Sequence, residues 1–163
     1  MWVYFTAFST GGGSFGNWLI NKRDALTNNE WQVALFNNNL QFGKAGQGTN
    51  TNFQTIATIT NPFILNTWYY LVVTDNGSKT VAGMKMYLNG SILPSTDISI
   101  GTYLGMSNGT SITRIGLNAW DLTSTNLRHQ GYLEDIGIWK NRVLTQDEIT
   151  YLYNSGNGRT YPF

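Results

Sequence analysis

The chain has 163 residues and no cysteine, and its ten basic and nine acidic residues leave a formal net charge of +1. These values exclude disulfides, cysteine–metal sites and the dense cationic surface that nucleic-acid binding requires. Asn, Thr and Gly account for 19, 20 and 18 residues, a composition that favours turns and strands over helices, and the length suits one domain over residues 1–163.

Apolar residues recur at spacing two, or in short runs bounded by turn residues, in ten segments of the chain. Such spacing is typical of the strands of a sandwich or barrel. The predicted strands are 2–8, 18–22, 31–36, 40–42, 54–60, 68–74, 84–88, 91–93, 113–117 and 131–139.

Two short connections predict tight hairpins. Residues 37–39 are three asparagines between two strand segments, and Asn89-Gly90 joins the segments 84–88 and 91–93. Asn-Gly adopts positive φ at both central positions, as a type I′ turn requires. A longer loop at 75–79 continues the chain from segment 68–74 into segment 84–88, which predicts an antiparallel meander.

One helix is predicted near the C-terminus. Thr145 and Glu148 have the spacing of a capping box, and Leu144 and Ile149 flank it as a hydrophobic staple. Gly156 is expected to end the helix in a left-handed conformation. This short amphipathic helix is expected to pack on the edge or end of the sandwich.

Aromatic residues provide the candidate binding site. Trp2, Trp31, Trp68 and Trp139 lie in strand patterns and are expected to fill the interior, whereas Trp120 and Tyr103 lie in polar connections. A ring beside amide and carboxylate groups suits stacking on a sugar ring together with hydrogen bonds to its hydroxyls; simple packing of the loop is the alternative. The candidate ligand-binding residues are Tyr103, Asn118, Trp120, Asp121, Arg128 and His129.

Asp121 and Asn118 also offer the oxygen ligands that calcium prefers. The alternative for these loop residues is an Asx-turn, in which each side chain bonds its own backbone. His129 is the single histidine of a chain without cysteine, so a transition-metal site is not expected. Calcium is therefore the one cofactor that the sequence suggests.

No catalytic pattern is complete. Glycoside hydrolysis needs two carboxylates on one face, but Glu134 and Asp135 are neighbours in a predicted strand and would point to opposite faces. Residues 11–16 satisfy the G-x-G-x-x-G pattern, yet a strand rather than a helix follows, which does not suit dinucleotide binding. The chain is predicted to be non-catalytic.

Three stretches resemble a known family: 67–74 with 86–90 as a hairpin, 113–116 as a strand, and 131–139 with 144–149 as the closing strand and helix. Through them the chain resembles the laminin G-like, concanavalin A-like jelly-roll domains, which include pentraxin-like lectins. The resemblance implies two antiparallel sheets and a structural role for Asp135. The Glu-x-Asp-x-x-Glu strand of laminarinase-type relatives and the motifs of alginate-lyase-type relatives are absent.

The family normally has one or two strands before the segment that matches residues 2–8. We therefore expect a longer parent chain, or a neighbouring chain or domain that supplies an edge strand. No run of 18 apolar residues occurs, so membrane insertion is not expected. Asn76, Asn89 and Asn108 begin glycosylation sequons, whose use depends on the host.

The sequence therefore predicts an all-β, two-sheet antiparallel jelly-roll sandwich with one short C-terminal α-helix. Its expected function is non-catalytic, lectin-like binding of a glycan or polysaccharide on an extracellular, cell-surface or virion protein. The alternative is a structural or protein-docking domain of a virion or fibre that binds no sugar. The third and least favoured hypothesis is a glycoside hydrolase or polysaccharide lyase.

Overall fold

A computed structural model describes residues 1–9, 16–23, 29–46, 52–106, 109–118 and 127–159. Eleven strands in these residues form two antiparallel sheets. The strands are β1 Trp2–Phe5, β2 Gly16–Lys22, β3 Trp31–Phe36, β4 Asn39–Ala45, β5 Phe53–Ala57, β6 Trp68–Asp75, β7 Met84–Leu88, β8 Ser91–Leu93, β9 Thr96–Asp97, β10 Thr113–Ile115 and β11 Gly131–Glu134.

The two sheets have different strand orders. The five-stranded sheet runs β11-β1-β6-β7-β8, and the six-stranded sheet runs β10-β2-β3-β4-β5-β9. β1 lies inside its sheet, because it pairs with β11 on one side and β6 on the other. The all-β, two-sheet jelly-roll prediction is confirmed.

The core lies between the sheets and follows the strand period of two. Val3 and Leu71 from the five-stranded sheet pack against Val33, Leu40 and other side chains of the six-stranded sheet, and none of these four is more than 1% exposed. Burying each such side chain contributes roughly 1.5–3 kcal/mol. The alternate residues of the same strands point to the two outer faces, where the candidate sites lie.

Several strand boundaries differ from the prediction. β1 ends at Phe5 rather than at residue 8. β11 ends at Glu134 rather than at residue 139, because Asp135 adopts a left-handed φ of 48° that a strand cannot continue. The edge strand β9 was not predicted, since two residues are too few to show a period.

The turn predictions are confirmed with one change. Asn89 and Gly90 have φ values of 51° and 80°, as a type I′ turn requires. The asparagine turn has two central residues rather than three: Asn37 and Asn38 have φ values of 50° and 61°, and Asn39 already belongs to β4.

The helix α1, Gln146–Tyr153, begins with the predicted capping box. It ends at Asn154 in the left-handed conformation, so the prediction that Gly156 ends it is wrong. The helix also does not pack on an edge or end. Its buried residues Ile149 and Leu152 join Tyr70 and Tyr87 in one cluster on the outer face of the five-stranded sheet.

The tryptophans are not all interior, which corrects the prediction. Trp31 packs against the core between the sheets, but Trp2 and Trp139 lie in the cluster under the helix. Trp68 is 37% exposed. Trp18 is buried on the outer face of the six-stranded sheet with Ala34 and Leu127, because period-two alternation does not tell which face of a sheet becomes covered.

Among the described residues, no helix is both long and apolar enough to span a membrane.

Candidate functional site

A groove of about 520 Å³ lies on the outer face of the six-stranded sheet. Its middle is built from outward-facing residues of three neighbouring strands: Gln32 on β3, Gln41 and Gly43 on β4, and Thr55 on β5. These residues face outward because the residues between them, such as Val33 and Phe42, face the core. The groove is therefore a direct product of strand alternation.

Gly43 forms the floor of the groove. It pairs with Gln32 on one side and Thr55 on the other. A Cβ atom placed on Gly43 would lie 2.8 Å from Thr55 Oγ1 and 3.6 Å from Gln32 Cγ. A side chain at this position would have to displace Thr55, so glycine keeps both polar neighbours in place at the centre of the outer face.

Uncharged amide groups dominate the polar lining. Gln32 Oε1 accepts a hydrogen bond from the Arg23 guanidinium at 2.6 Å, and Gln41 Nε2 donates to the Phe36 carbonyl at 3.4 Å. A primary amide offers both donors and acceptors, so it complements a ligand hydroxyl, which also does both. The amide side chains that line the groove are Asn29, Gln32, Asn37, Gln41 and Asn118.

Aromatic side chains form the apolar part of the lining. Trp18, Phe36 and Phe53 contribute their rings, and Trp31, whose ring packs against the core between the sheets, also borders the groove. Trp18 is held in place by Ala34 and Leu127 and lies under the Arg23 guanidinium, whose Cζ is 4.8 Å from the ring centroid. The Trp18 indole nitrogen is buried and has no acceptor among the described residues.

Glu30 is the carboxylate of the described groove lining. It is nearly buried, and both of its oxygens are engaged: Oε2 accepts from Lys22 Nζ at 2.8 Å, and Oε1 accepts from the Gly109 amide at 3.0 Å. A second carboxylate does not face it in the described lining. The two-acid geometry of glycoside hydrolysis is therefore not formed by these residues.

The predicted site residue Tyr103 is not part of the described groove lining. The buried Lys44 ammonium lies 5.1 Å from the Tyr103 ring centroid and makes a 2.8 Å ion pair with Asp75. Burial, with the negative charge of Asp75 second, raises the pKa of Tyr103 to about 12. The Tyr103 hydroxyl therefore keeps its proton at neutral pH.

The structure brings the predicted residue Asn118 into the groove, where it is 1% exposed. The backbone N–H of Asn118 donates to the Leu127 carbonyl at 2.9 Å. Trp120 and Asp121 lie between them in sequence but outside the described residues. Their binding role stays a prediction.

The predicted residues Arg128 and His129 lie apart from the groove lining. Arg128 is exposed and bridges Leu117 through its backbone. His129 Nε2 lies 3.0 Å from the Tyr4 carbonyl and 3.2 Å from the Tyr132 carbonyl. Because both carbonyls accept, Nε2 carries the proton, and His129 fastens β1 to β11. Ligand binding by this pair stays a prediction.

The described residues do not provide a cluster of acidic side chains that could coordinate calcium. No three His, Asp or Glu side chains among them lie close enough to hold a metal ion. Asn118 is in place, but Asp121 falls outside the described residues. We therefore derive no function through calcium, and the pairing of Asp121 with Asn118 stays a prediction.

The sequence analysis missed the strand residues of the groove, above all Gln32, Gln41, Gly43 and Thr55. A polar residue between two apolar ones in a strand is also the pattern of an ordinary solvated face.

Comparison with known families gives a match to the concanavalin A-like lectin/glucanases superfamily over residues 1–150. No curated protein matches the chain.

Proposed function

The chain belongs to the concanavalin A-like lectin/glucanases superfamily, and from that premise we propose that it is a non-catalytic carbohydrate-binding module. The observation that carries the proposal is the groove on the six-stranded sheet, which combines neutral amide groups with aromatic side chains. A pyranose sugar presents the same combination, hydroxyls at its edge and C–H groups on its faces. Each kind of ligand group thus finds a matching kind of protein group.

The polar groups are positioned before a ligand arrives. Gln32 is fixed by Arg23, and Thr55 is held through its amide, which donates to Ser99 Oγ at 3.2 Å. Both lie on paired strands rather than on loops. Fixed side chains lose little conformational entropy on binding, which favours affinity for a flexible ligand such as an oligosaccharide.

The connection 119–126 provides a second set of contacts in this proposal. It leaves and rejoins the fold at Asn118 and Leu127, and both residues belong to the groove region. We propose that Trp120 stacks on the sugar and that Asp121 binds its hydroxyls. Tyr103, Arg128 and His129 lie outside the described groove lining and remain secondary candidates for ligand contacts.

Two further observations support binding without catalysis. Glu30 is the carboxylate of the described lining, and its two oxygens accept hydrogen bonds from Lys22 and from the Gly109 amide. The composition is poor in charge and rich in Asn, Thr and Gly. Such a composition agrees with a recognition module on an extracellular, cell-surface or virion protein, which is the setting that we propose.

A broad glycan array tests the proposal with the purified domain, once in calcium and once in chelator. Gly43→Val fills the floor of the groove and is expected to reduce binding to the glycans that occupy the groove by about tenfold or more. Trp120→Ala tests the connection separately. Asn157→Ala removes an exposed amide outside the described groove lining and is expected to change nothing.

An array that stays blank with folded protein would overturn the proposal, as would full binding by Gly43→Val. A signal that disappears only in chelator would add calcium to the site. Unfolding curves in urea for every variant separate a lost groove from a lost fold.

The alternative function is a structural or protein-docking domain of a virion or fibre. One observation favours it: Ile98, Ile100, Leu104 and Met106 follow the edge strand β9, and each is at least 42% exposed. An edge strand with apolar neighbours can accept a strand from another chain. A blank glycan array together with a stable complex at this edge would replace the carbohydrate proposal by this one.

A further inference from the structure

An aromatic cluster lies on the opposite side of the sandwich from the groove. Tyr4 on β1 stands directly opposite Trp68 on β6 and Tyr132 on β11. All three point away from the core, because their neighbours Val3, Phe5 and Tyr69 point into it. We call Tyr4, Trp68 and Tyr132 the aromatic pad.

The rings of the pad hold one another in place. The ring centroid of Tyr4 is 5.2 Å from that of Trp68 and 5.6 Å from that of Tyr132, and the outer two are 6.4 Å apart. β6 and β11 are separated by β1, so their backbones lie about 10 Å apart. The two outer rings therefore lean together above the central one.

The pad is open to solvent. Trp68 is 37% exposed and Tyr132 is 61% exposed, although helix α1 covers the other half of the same outer face. The exposed Asn66 side chain lies beside the pad and accepts a weak hydrogen bond from the Tyr4 hydroxyl at 3.4 Å. Rigid exposed rings next to an amide group have the character of a binding surface.

From this arrangement we infer that the aromatic pad is a second saccharide-binding surface, which stacks on the C–H face of a pyranose ring. The Asn66 amide and the tyrosine hydroxyls would bind the sugar hydroxyls. The inference does not depend on the groove, because the two surfaces lie on opposite faces of the sandwich. If both bind, one domain joins two saccharide chains and gains avidity on a polysaccharide.

The size of the pad favours a sugar over a protein partner. A tyrosine or tryptophan side chain presents about 150–250 Å² in all, so the exposed fractions of Trp68 and Tyr132 give an area on the order of 150–250 Å². A stable protein interface buries about 800 Å² on each partner. The pad is too small for such an interface, whereas one or two sugar rings cover it.

The spacing of the rings also disfavours a cation. Centroid separations of 5.2–6.4 Å are those of aromatic rings in mutual contact. An ammonium group that is caged by several rings needs an opening between them. The three rings contact one another and are tilted by 36–54°, so a sugar ring would stack on one exposed ring rather than across all three.

The test uses pull-down on cellulose, chitin, curdlan and xylan with the domain carrying Gly43→Val, so that the groove is blocked. We expect retained binding to at least one polysaccharide, and a loss of about tenfold or more when Trp68→Ala is added. Trp68→Phe keeps a ring and is expected to stay within about threefold. Tyr151→Ala removes an exposed tyrosine of helix α1 and serves as the matched control.

Equal binding with and without Trp68→Ala would overturn the inference, as would the absence of binding by folded Gly43→Val. A concentration-dependent dimer that Trp68→Ala abolishes, or competition by tetramethylammonium alone, would also overturn it. Tyr132→Ala gives the same test from a more exposed position should Trp68→Ala unfold. The two proposals fail in different ways. If Gly43→Val binds all glycans as well as the unsubstituted domain does, the groove is not a binding site, whatever the result for the pad.

Discussion

The two outer faces of the sandwich differ in what the chain places over them. On the five-stranded sheet, Tyr70, Tyr87 and Trp2 lie under helix α1, and Ile149 from that helix is completely buried. On the six-stranded sheet, the central outward positions carry glutamine, glycine and threonine, and a groove remains. A covered outer face becomes a second core, whereas an uncovered one stays available for a ligand.

The two outer faces therefore contribute differently to stability and to ligand binding. The helix-covered face contributes to stability, because its apolar side chains leave water on folding. The groove contributes little burial at its centre, since Gly43 has no side chain there. Substitutions on the first face should therefore change stability, and substitutions on the second should change binding.

The largest effect is expected for Ile149→Ala. This side chain is 0% exposed between helix α1 and the sheet, and truncation leaves a cavity there. We expect a loss of about 2–5 kcal/mol in the free energy of unfolding, measured by urea titration. Glycan binding by the molecules that remain folded should be unchanged; a selective loss of binding would show that the faces are coupled.

A smaller effect is expected for Thr145→Ala at the start of the same helix. Thr145 Oγ1 accepts from the Glu148 amide at 3.3 Å, and the Glu148 carboxylate accepts from the Thr145 amide at 2.8 Å. Removing the hydroxyl breaks one half of the capping box and should lower stability by about 1 kcal/mol. Thr145→Ser keeps the hydroxyl and should restore most of it; equal loss in both variants would contradict the capping explanation.

The uncovered half of the five-stranded sheet should respond to pH through His129. Burial lowers the pKa of His129 below its ordinary value of 6.5, against the opposing hydrogen bonds to Tyr132 and Tyr4. The unfolded chain therefore binds the proton more readily, so stability is complete above pH 6.5 and falls as the pH drops below that value. A proton added at the buried Nδ1 would find no acceptor among the described residues.

Urea titrations at pH 8 and pH 5 check this expectation, with His129→Gln as the comparison. The substituted amide can still donate to the carbonyl groups but cannot titrate. The unsubstituted domain should lose more stability between the two pH values than the variant does. The same acid loss in both proteins would assign the pH dependence to other groups.

The smallest change in stability is expected for Gln41→Ala. Gln41 is partly buried at the groove and makes one long hydrogen bond, 3.4 Å to the Phe36 carbonyl. The free energy of unfolding should change by no more than about 0.5 kcal/mol. Saccharide binding should nevertheless fall, and a variant that binds normally would remove Gln41 from the proposed site.

Some features were predictable because they depend on neighbouring residues alone. The capping box at Thr145 and the Asn89-Gly90 turn were read from the sequence and confirmed. The end of the helix was not, because Asn154 competes with Gly156 for the left-handed conformation and asparagine adopts it readily. The strand alternation was also predictable, and it separated inward from outward residues.

The candidate site was less accessible to sequence reasoning. Asn118 was predicted as a site residue because it belongs to a polar connection, and it does lie in the groove. Gln32 and Gln41 were missed, since an outward glutamine between apolar neighbours looks the same whether water or a ligand covers it. The aromatic pad was missed for a related reason: Trp68 was expected in the interior, and only the pairing of β6 with β1 shows that it faces outward.

The sequence by itself determined the all-β class, the tight turns, the capped helix and the alternation of each strand, because these follow from local conformational preferences and from the period of two. Only the tertiary structure decided which outer face the helix covers. That choice depends on contacts between residues far apart in the chain, such as Tyr70 with Ile149. It leaves the groove around Gly43 and the aromatic pad open, and both candidate binding surfaces follow from it.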